Sequence, residues 1–242
     1  MSEAQEPEYR IINDAQEIAA IAQQAQTPLE KIYFQRTGPV SMKWRHYLSI
    51  YDRYLSLYRD KTVRLLEIGI AGGGSFPMWR EYFGVQAILF GIDVDPDSCK
   101  NVEALELDCH ARTGSQADPH FLQSVVAEMG GLDIVIDDGS HIAEHQLASF
   151  KILFPLLSNG GVYVCEDLHT AYWDGWQGGY KRPGTFIEVI KDIIDSIHTW
   201  YYPIENELRE MELHRHISGI HLHDSMVVIE KNDVAAPVML IK

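Results

Sequence analysis

The chain of 242 residues contains few cysteines and lacks any long apolar segment. Its three cysteines, Cys99, Cys109 and Cys165, include no Cys-x-x-Cys pair. This dispersed, odd-numbered set excludes a disulfide framework and disfavours a zinc site made of cysteines. No apolar run approaches the roughly 20 residues that cross a bilayer, and residues 1–15 lack the apolar core of an export signal. We therefore expect a protein of the cytoplasm that has no membrane-bound part.

Basic residues are also scarce relative to acidic ones. The chain has 20 Lys and Arg against 35 Asp and Glu, which gives a formal net charge of −15. Such a chain has no general basic surface for a polyanion, so we expect no nucleic-acid partner. The apolar fraction of 46% is that of an ordinary globular domain with a sizeable core.

From residue 63 onward, short apolar runs alternate with helical patterns. The predicted strands cover residues 63–68, 87–92, 102–107, 132–136 and 162–165, and the predicted helices cover 76–83, 121–129, 142–157 and 186–200. Two further strands, 217–222 and 226–230, follow one another without a helix between them. The alternation predicts an α/β fold, a mostly parallel Rossmann-like sheet with helices on both faces. The last two strands predict an antiparallel C-terminal hairpin at its edge.

The first 60 residues differ from this pattern. Helices are predicted over 15–24, capped by Asn13 or Asp14, and over 44–58, and residues 32–39 are predicted to form a turn. The second helix carries tyrosines and leucines three and four residues apart, a stripe that is typical of packing. We interpret residues 1–60 as a small helical extension and residues 61–242 as the main domain.

Two of the predicted strands end in paired acids. Asp137 and Asp138 follow one strand, and Glu166 and Asp167 follow the next. The carboxyl ends of parallel strands meet at one edge of a sheet, where these carboxylates would repel one another without a cation. Oxygen ligands suit Mg²⁺, with Mn²⁺ as the alternative, so we predict Asp138, Glu166 and Asp167 as metal ligands. The competing interpretation is that the acids cap the following helices.

Two histidines follow the first acid pair. His141 comes three residues after Asp138, within reach of a hydroxyl held at the same site, and a neutral imidazole can take its proton. His145 completes a His-x-x-x-His spacing, but the surrounding acids favour magnesium over zinc. The alternative for His141 is a contact with the backbone at a helix start.

A glycine-rich turn at residues 69–75 follows the first strand. Gly69 begins this turn, and an acid, Glu67, lies inside the apolar strand just before it. Asp93 ends the next strand, where a carboxylate can accept hydrogen bonds from ribose hydroxyls. Ala71 stands where a dinucleotide fingerprint has its middle glycine, so the turn matches that fingerprint imperfectly.

These motifs resemble the class I S-adenosylmethionine-dependent methyltransferases. More narrowly, residues 137–141, 144–145, 166–168 and 170–173 are similar to the metal-dependent sugar O-methyltransferases of natural-product pathways, which act on macrolide, enediyne or tetracenomycin-type deoxysugars. The resemblance covers residues 63–230 and implies S-adenosyl-L-methionine and Mg²⁺ as cofactors. It implies cofactor contacts from Glu67, Gly69, Ser75, Asp93, Ser115, Gln116 and Asp137.

The resemblance also implies the reacting groups. Asp138 and His141 would be catalytic, with His141 as the base that deprotonates the acceptor hydroxyl. The segment at residues 171–180 combines aromatics with glycines, which suits a lid over a sugar or polyketide, and an ordinary surface loop is the alternative. As part of a lid, Tyr172 and Trp173 would contact the substrate together with His145. Residues 43–47 are similar to a segment that precedes an aromatic helix in related enzymes, which makes Lys43 and His46 further candidates.

Three functions remain open on this evidence. The first is Mg²⁺-dependent O-methylation of a sugar on a small-molecule glycoside or nucleotide sugar. The second is O-methylation of a phenolic or catechol-like molecule. The third is a non-catalytic S-adenosylmethionine-binding partner of a natural-product tailoring enzyme. We favour the first, and the aromatic segments favour a homo-oligomer.

Overall fold

The structure, a computed structural model, describes residues 9–203 and 205–242. Within these residues a seven-stranded sheet has the order β3-β2-β1-β4-β5-β7-β6. The strands are β1 (Arg64–Ile68), β2 (Ile88–Asp93), β3 (Cys109–Thr113), β4 (Ile134–Asp137), β5 (Val162–Cys165), β6 (Ile217–His223) and β7 (Met226–Lys231). Strands β1 to β5 pair in parallel, whereas β7 is antiparallel to both β5 and β6. The predicted fold class and the C-terminal hairpin are therefore confirmed.

Helices lie before the sheet and in the connections between its strands. They are α1 (Ala15–Ala22), α2 (Pro28–Gln35), α3 (Arg45–Leu55), α4 (Ser75–Phe83), α5 (Pro96–Glu103), α6 (Pro119–Met129), α7 (Ala143–Leu153) and α8 (Phe186–Ile197). Asp14 caps α1 and Asp118 caps α6, whose first residue is proline, as those sequences predict. Among the described residues, no helix combines the length and the apolar character that crossing a membrane requires.

Successive strand residues alternate between two hydrophobic cores. Leu65 of β1 packs with α2 to α5 on one face, whereas its neighbour Leu66 packs with α6 to α8 on the other. Both leucines are fully buried, which explains why the central strands are continuous apolar runs.

The predicted third strand is wrong. Residues 102–103 belong to the end of α5, and the strand occupies Cys109–Thr113 instead. Asp95 caps this helix and Pro96 stands at its first position, and these two start signals favour a helix over the strand that the apolar run predicts. Val102 packs into the core from the helix. The true β3 is an edge strand in which buried and exposed residues alternate, a weaker signal than an apolar run.

The predicted turn at residues 32–39 is also wrong at its start. Helix α2 continues to Gln35, because Thr27 and Glu30 form a reciprocal capping box and Pro28 follows the cap. Helices α2 and α3 pack against α4, and Tyr51 contacts Trp79 edge to face at 5.2 Å. The N-terminal helices therefore share a hydrophobic core with the sheet.

Candidate metal and cofactor site

The strand order reverses between β1 and β4, and the ends of these strands meet there. Ile68 is in register with Asp137, and Asp137 is in register with Cys165 of β5. Asp138 and Glu166 therefore emerge at the same edge as the glycine-rich turn. Ligands of open α/β sheets bind at this kind of edge.

Asp138, His141 and Asp167 converge at this edge. Nε2 of His141 lies 3.7 Å from Oδ1 of Asp138 and 3.7 Å from Oδ2 of Asp167. The three side chains each offer one ligand atom, and these atoms lie within 4.8 Å of one another. Each side chain is about one-fifth exposed, so a cation and an acceptor can reach the cluster.

The backbone at this cluster is strained. His141 and Asp167 adopt left-handed φ angles of 57° and 54°. Residues other than glycine rarely hold this conformation, and such strain concentrates at functional sites. Nδ1 of His141 is buried without a hydrogen-bond partner among the described residues. An imidazole held in this way offers only Nε2 to the two carboxylates.

Glu166 lies deeper than the other two acids. Its Oε1 accepts a hydrogen bond from Lys43 Nζ at 2.7 Å and another from the Tyr51 hydroxyl. The same ammonium lies 2.5 Å from Oδ2 of Asp138 and 4.0 Å from Oε1 of Glu67. Lys43 therefore balances part of the charge of three carboxylates.

Burial and charge oppose each other in this group. Burial would lower the pKa of Lys43, but the charges of Asp138, Glu166 and Glu67 outweigh it and raise that pKa well above its usual value. The pKa of Glu166 is raised to about 8, mainly by burial and then by the charge of Asp138, although Lys43 opposes the shift. A cation beside Glu166 would favour its ionised form.

Asp167 is fixed by donors from α3 and its N-cap. Trp44 Nε1 donates to Oδ1 of Asp167 at 3.0 Å, and the Tyr47 hydroxyl donates to the same oxygen at 2.8 Å. Oδ2 is the oxygen that faces His141. The chemistry of the set fits Mg²⁺, because carboxylate oxygens converge and part of their charge has no protein cation beside it.

The glycine-rich turn packs directly on the acid motif. Gly69 has a φ of 80°, and a Cβ there would collide with the carbonyl oxygen of Asp138. Oδ2 of Asp93 accepts hydrogen bonds from the backbone N–H groups of Ile70 and Ala71, both at 3.1 Å. Asp93 thus lies against the turn and is only partly buried.

Other predicted cofactor residues are internal. Glu67 is 1% exposed and accepts a hydrogen bond from the Ser75 hydroxyl at 2.5 Å. Ser115 stabilises its own turn, because its hydroxyl accepts a hydrogen bond from the N–H of Ala117 at 3.2 Å. The structure brings Glu67 and Ser75 together below the turn, near Lys43.

Asp137 has an internal network of its own. Tyr163 donates to its Oδ2 at 2.6 Å, and Gln116 Nε2 donates to its Oδ1 at 3.1 Å. Burial raises the pKa of Asp137 to about 6, against the hydrogen bond from Tyr163. Gln116 also accepts a hydrogen bond from the N–H of Ser140 at 2.8 Å, and so ties this network to the loop that carries His141.

The predicted substrate residues lie on the segments that follow the two acid pairs in the chain. Trp173 belongs to a row of rings in which Trp44 and His169 are 5.8 Å apart, His169 and Trp173 4.7 Å, and Trp173 and Trp176 5.3 Å. Tyr172 is half exposed. Nδ1 of His145 lies 2.8 Å from the Ser140 hydroxyl, so His145 contacts the loop before α7.

Sequence reasoning missed three side chains that touch the acids. Trp44, Tyr47 and Tyr51 all donate to Glu166 or Asp167, whereas the spacing of the stripe that contains the two tyrosines favours packing. The available signal was the hydroxyl group, because a buried tyrosine needs a hydrogen-bond partner and leucine does not. His46, a candidate by resemblance, instead lies 3.0 Å from the carbonyl of Asp224.

The chain has extensive similarity to proteins of known activity, although no family model matches it. The demethylmacrocin O-methyltransferase of Streptomyces fradiae is 40% identical over 192 residues, 75% of this chain and 47% of that protein. The 8-demethyl-8-alpha-L-rhamnosyl tetracenomycin-C 2'-O-methyltransferase of Streptomyces olivaceus is 35% identical over 201 residues, 79% of this chain and 52% of that protein. The chain thus spans about half the length of the curated relatives it matches.

A solved structure is similar over a larger share of the chain. The MycE methyltransferase from the mycinamycin biosynthetic pathway, in complex with Mg, SAH and mycinamycin VI, superposes with a TM-score of 0.72 at 35% identity. The match covers 86% of this chain and 53% of that protein.

Proposed function

We propose that this chain, which belongs to the class I S-adenosylmethionine-dependent methyltransferases and is homologous to their sugar O-methyltransferases, methylates a sugar hydroxyl of a glycosylated natural product. The observation that carries the proposal is the convergence of Asp138, His141 and Asp167 beside the glycine-rich turn. The similar proteins are named as O-methyltransferases of demethylmacrocin and of a rhamnosyl tetracenomycin-C, and the MycE methyltransferase was solved with Mg and SAH.

S-adenosyl-L-methionine is the proposed methyl donor. Gly69 and Asp93 are the proposed contacts at the open side of the turn, where the backbone approaches closely and Asp93 can accept hydrogen bonds from ribose. Four buried residues support the wall beneath them: Glu67, Ser75, Gln116 and Asp137. Ser115 is proposed at the adenine side.

Mg²⁺ is the proposed metal, with Mn²⁺ as the alternative. Asp138, Glu166 and Asp167 are its proposed ligands, of which Asp138 and Asp167 each direct one oxygen at His141. Glu166 has one oxygen engaged by Lys43 and Tyr51, so its second oxygen would serve as the ligand atom. When bound, Mg²⁺ would lower the pKa of the acceptor hydroxyl and orient its oxygen.

His141 is the proposed base, and its Nε2 lies 3.7 Å from one oxygen of Asp138 and 3.7 Å from one oxygen of Asp167. Nε2 accepts the proton of the sugar hydroxyl as the hydroxyl oxygen forms its bond to the methyl carbon, and the bond from that carbon to the donor's sulfur breaks. Tyr172, Trp173 and His145 are the proposed contacts to the acceptor, because flat aromatic rings pack on the apolar face of a sugar and exclude water. Most of the remaining acceleration comes from alignment of the two substrates.

The expected activity is tested with labelled S-adenosylmethionine and a panel of macrolide and tetracenomycin-type glycosides. We expect methylation of at least one glycoside, and loss of that activity when EDTA removes divalent metal. His141→Ala should lower the rate by about 10²–10⁴-fold, the usual range for removal of a general base. His198→Gln is the matched control, because His198 is exposed at the C-terminal end of α8 and is none of the proposed contacts.

Two results would contradict the proposal. Full activity in EDTA would show that the reaction needs no divalent metal. A His141→Ala rate within about tenfold of the wild type would show that His141 is not the base. If only the aglycones are methylated, the acceptor is a phenol or another group of the aglycone and not a sugar hydroxyl. The proposal includes a homo-oligomer in the cytoplasm, and sedimentation of the purified chain measures its mass.

A further inference from the structure

One short segment supplies donors to all three proposed metal ligands. Residues 43–51, here called the donor segment, include the N-cap of α3 and most of that helix. Lys43 donates to Asp138 and Glu166, Trp44 and Tyr47 donate to Asp167, and Tyr51 donates to Glu166. The donors lie about a hundred residues from their acceptors in the chain, so these contacts depend on the tertiary fold.

The donor segment gives the two oxygens of each partly exposed carboxylate different surroundings. In Asp138, Oδ2 lies 2.5 Å from Lys43, and Oδ1 faces His141. In Asp167, Oδ1 accepts from both Trp44 and Tyr47, and Oδ2 faces His141. The hydrogen bonds that the described residues make to these two carboxylates all fall on the oxygen that faces away from His141.

We propose that Trp44 and Tyr47 are positioning residues that fix the Asp167 carboxylate, so that Oδ2 is reserved for the divalent cation. This inference rests on the proposed function, because it assumes that Asp167 is a metal ligand. A carboxylate that has two donors on one oxygen cannot turn that oxygen toward a cation without breaking both hydrogen bonds. The cation therefore meets a ligand whose orientation is already set, and loses less affinity to ordering the side chain.

Tyr47 also fixes the backbone of Asp167. Its hydroxyl oxygen accepts a hydrogen bond from the N–H of Asp167 at 3.1 Å, and it lies 2.9 Å from the carbonyl of Ser225 in the turn between β6 and β7. Asp167 has a left-handed φ of 54°, a conformation that needs support from its surroundings. One fully buried hydroxyl thus holds both the strained backbone and the side chain of the ligand.

Trp44 provides an independent case, because its indole N–H bonds to Asp167 without contacting Ser225. A role for Tyr47 in holding the hairpin alone would leave a Trp44 variant unaffected. A role in orienting Asp167 requires both variants to weaken metal binding. The two substitutions therefore separate the positioning role from a structural one.

The test measures Mn²⁺ binding to the full chain by the electron paramagnetic resonance signal of free Mn²⁺. Tyr47→Phe and Trp44→Phe should each weaken Mn²⁺ binding by about tenfold, the low end of the range for partners of metal ligands. Tyr54→Phe is the matched control: it removes a hydroxyl from the same helix, and that hydroxyl lies 3.0 Å from Nε2 of His223. S-adenosylhomocysteine affinity should stay within about twofold of wild type in all three variants, because none of them contacts the glycine-rich turn.

Outcomes that overturn the inference are distinct from those that overturn the function. If the wild type binds Mn²⁺ and both Tyr47→Phe and Trp44→Phe bind it with the same affinity, the positioning role is overturned and the proposed function stands. If Asp167→Asn binds Mn²⁺ as tightly as wild type, Asp167 is not a ligand, and both its place in the proposed metal site and the positioning role are overturned. Absence of Mn²⁺ binding by the wild-type chain would overturn the proposed metal site and the inference with it. Should Tyr47→Phe fail to fold, Trp44→Phe alone decides between these results.

Discussion

Replacement of Lys43 by methionine tests the charge balance of the site most directly. The Lys43 side chain is 3% exposed, and its ammonium lies 2.5 Å from Asp138, 2.7 Å from Glu166 and 4.0 Å from Glu67. Methionine fills a similar volume without charge, so the packing against the Tyr51 ring is largely kept while the cation is lost. The three carboxylates then face one another without compensation.

The expected loss of stability in Lys43→Met follows from the burial of the ion pair between Lys43 and Glu166. Removal of one partner of a buried ion pair destabilises a protein by about 3–5 kcal/mol, because the other charge stays buried without a counter-ion. The upper half of that range is expected here, since Glu166 is 2% exposed and depends on the same ammonium as Asp138. A loss of this size is a large part of the stability of an ordinary domain, about 5–15 kcal/mol.

The cost should depend on pH in a defined direction. The pKa of Glu166 is already raised to about 8 with Lys43 present, and removal of the ammonium raises it further. Below about pH 6 Glu166 keeps its proton in both proteins, so its attraction to Lys43 contributes little to the cost, and the ion pair of Lys43 with Asp138 accounts for most of what remains. As pH rises through the folded pKa, only the wild type gains the ion pair. The penalty of the variant therefore grows from about pH 6 to about pH 9.

Urea denaturation followed by far-ultraviolet circular dichroism measures this penalty in metal-free buffer. Lys231→Met is the matched control, because Lys231 is also largely buried but donates to the carbonyl of Pro155 at 2.7 Å. Loss of that single hydrogen bond should cost about 1 kcal/mol. A Lys43→Met cost no larger than that of the control, or a cost that shrinks as pH rises, would refute the charge-balance reasoning.

Two further predictions concern the wild-type site and the turn beneath it. The folded pKa values of about 6 for Asp137 and about 8 for Glu166 are both raised above their usual range, so the folded state binds more protons than the unfolded state. The contribution of these two groups to metal-free stability should therefore fall as pH rises from about 4 to 8. In urea titrations the stability of the wild type should fall more steeply over this range than that of a Glu166→Gln variant, and saturating Mg²⁺ should flatten the wild-type slope; a difference of opposite sign contradicts the assignment. Gly74→Ala should destabilise the chain by about 1–3 kcal/mol and weaken S-adenosylhomocysteine binding in calorimetry, because a Cβ there collides with the carbonyl of Val40. Gly72→Ala is its control, since a Cβ at Gly72 meets open space, and equal effects of the two variants would show that the collision is irrelevant.

The positions of the acids follow from the sequence, because topology leaves few alternatives. Once β4 and β5 are recognised as neighbouring parallel strands, Asp138 and Glu166 must emerge at one edge, and the structure places both within hydrogen-bonding distance of Lys43. The turn containing Gly69 meets the same edge for the same reason. The apolar pattern of the strands and their order in the chain are therefore sufficient to predict that these residues lie close together.

The orientation of each oxygen could not be predicted in this way. Which oxygen of Asp167 faces His141 depends on Trp44 and Tyr47, more than a hundred residues earlier in the chain. A helical stripe of tyrosines has the same spacing whether it only packs or also donates hydrogen bonds. Likewise, β3 was misplaced because an apolar run in α5 competed with an edge strand whose residues alternate. The periodicity of the sequence identifies which face of a helix or strand is buried. Which donor pairs with which acceptor is known only from distances in the folded chain.

The N-terminal helices belong to the site as well as to the core. Tyr47, Leu48 and Leu55 of α3 are fully buried in the hydrophobic cluster that includes Leu65 of β1. The same helix and its N-cap bring the donors that hold Glu166 and Asp167. A boundary at residue 60, where the sequence pattern changes, would separate these donors from the acids they hold and expose an apolar face on each side. Charge balance and packing thus make residues 43–55 part of the same functional unit as the sheet, and the change of pattern at residue 60 marks where α/β alternation begins.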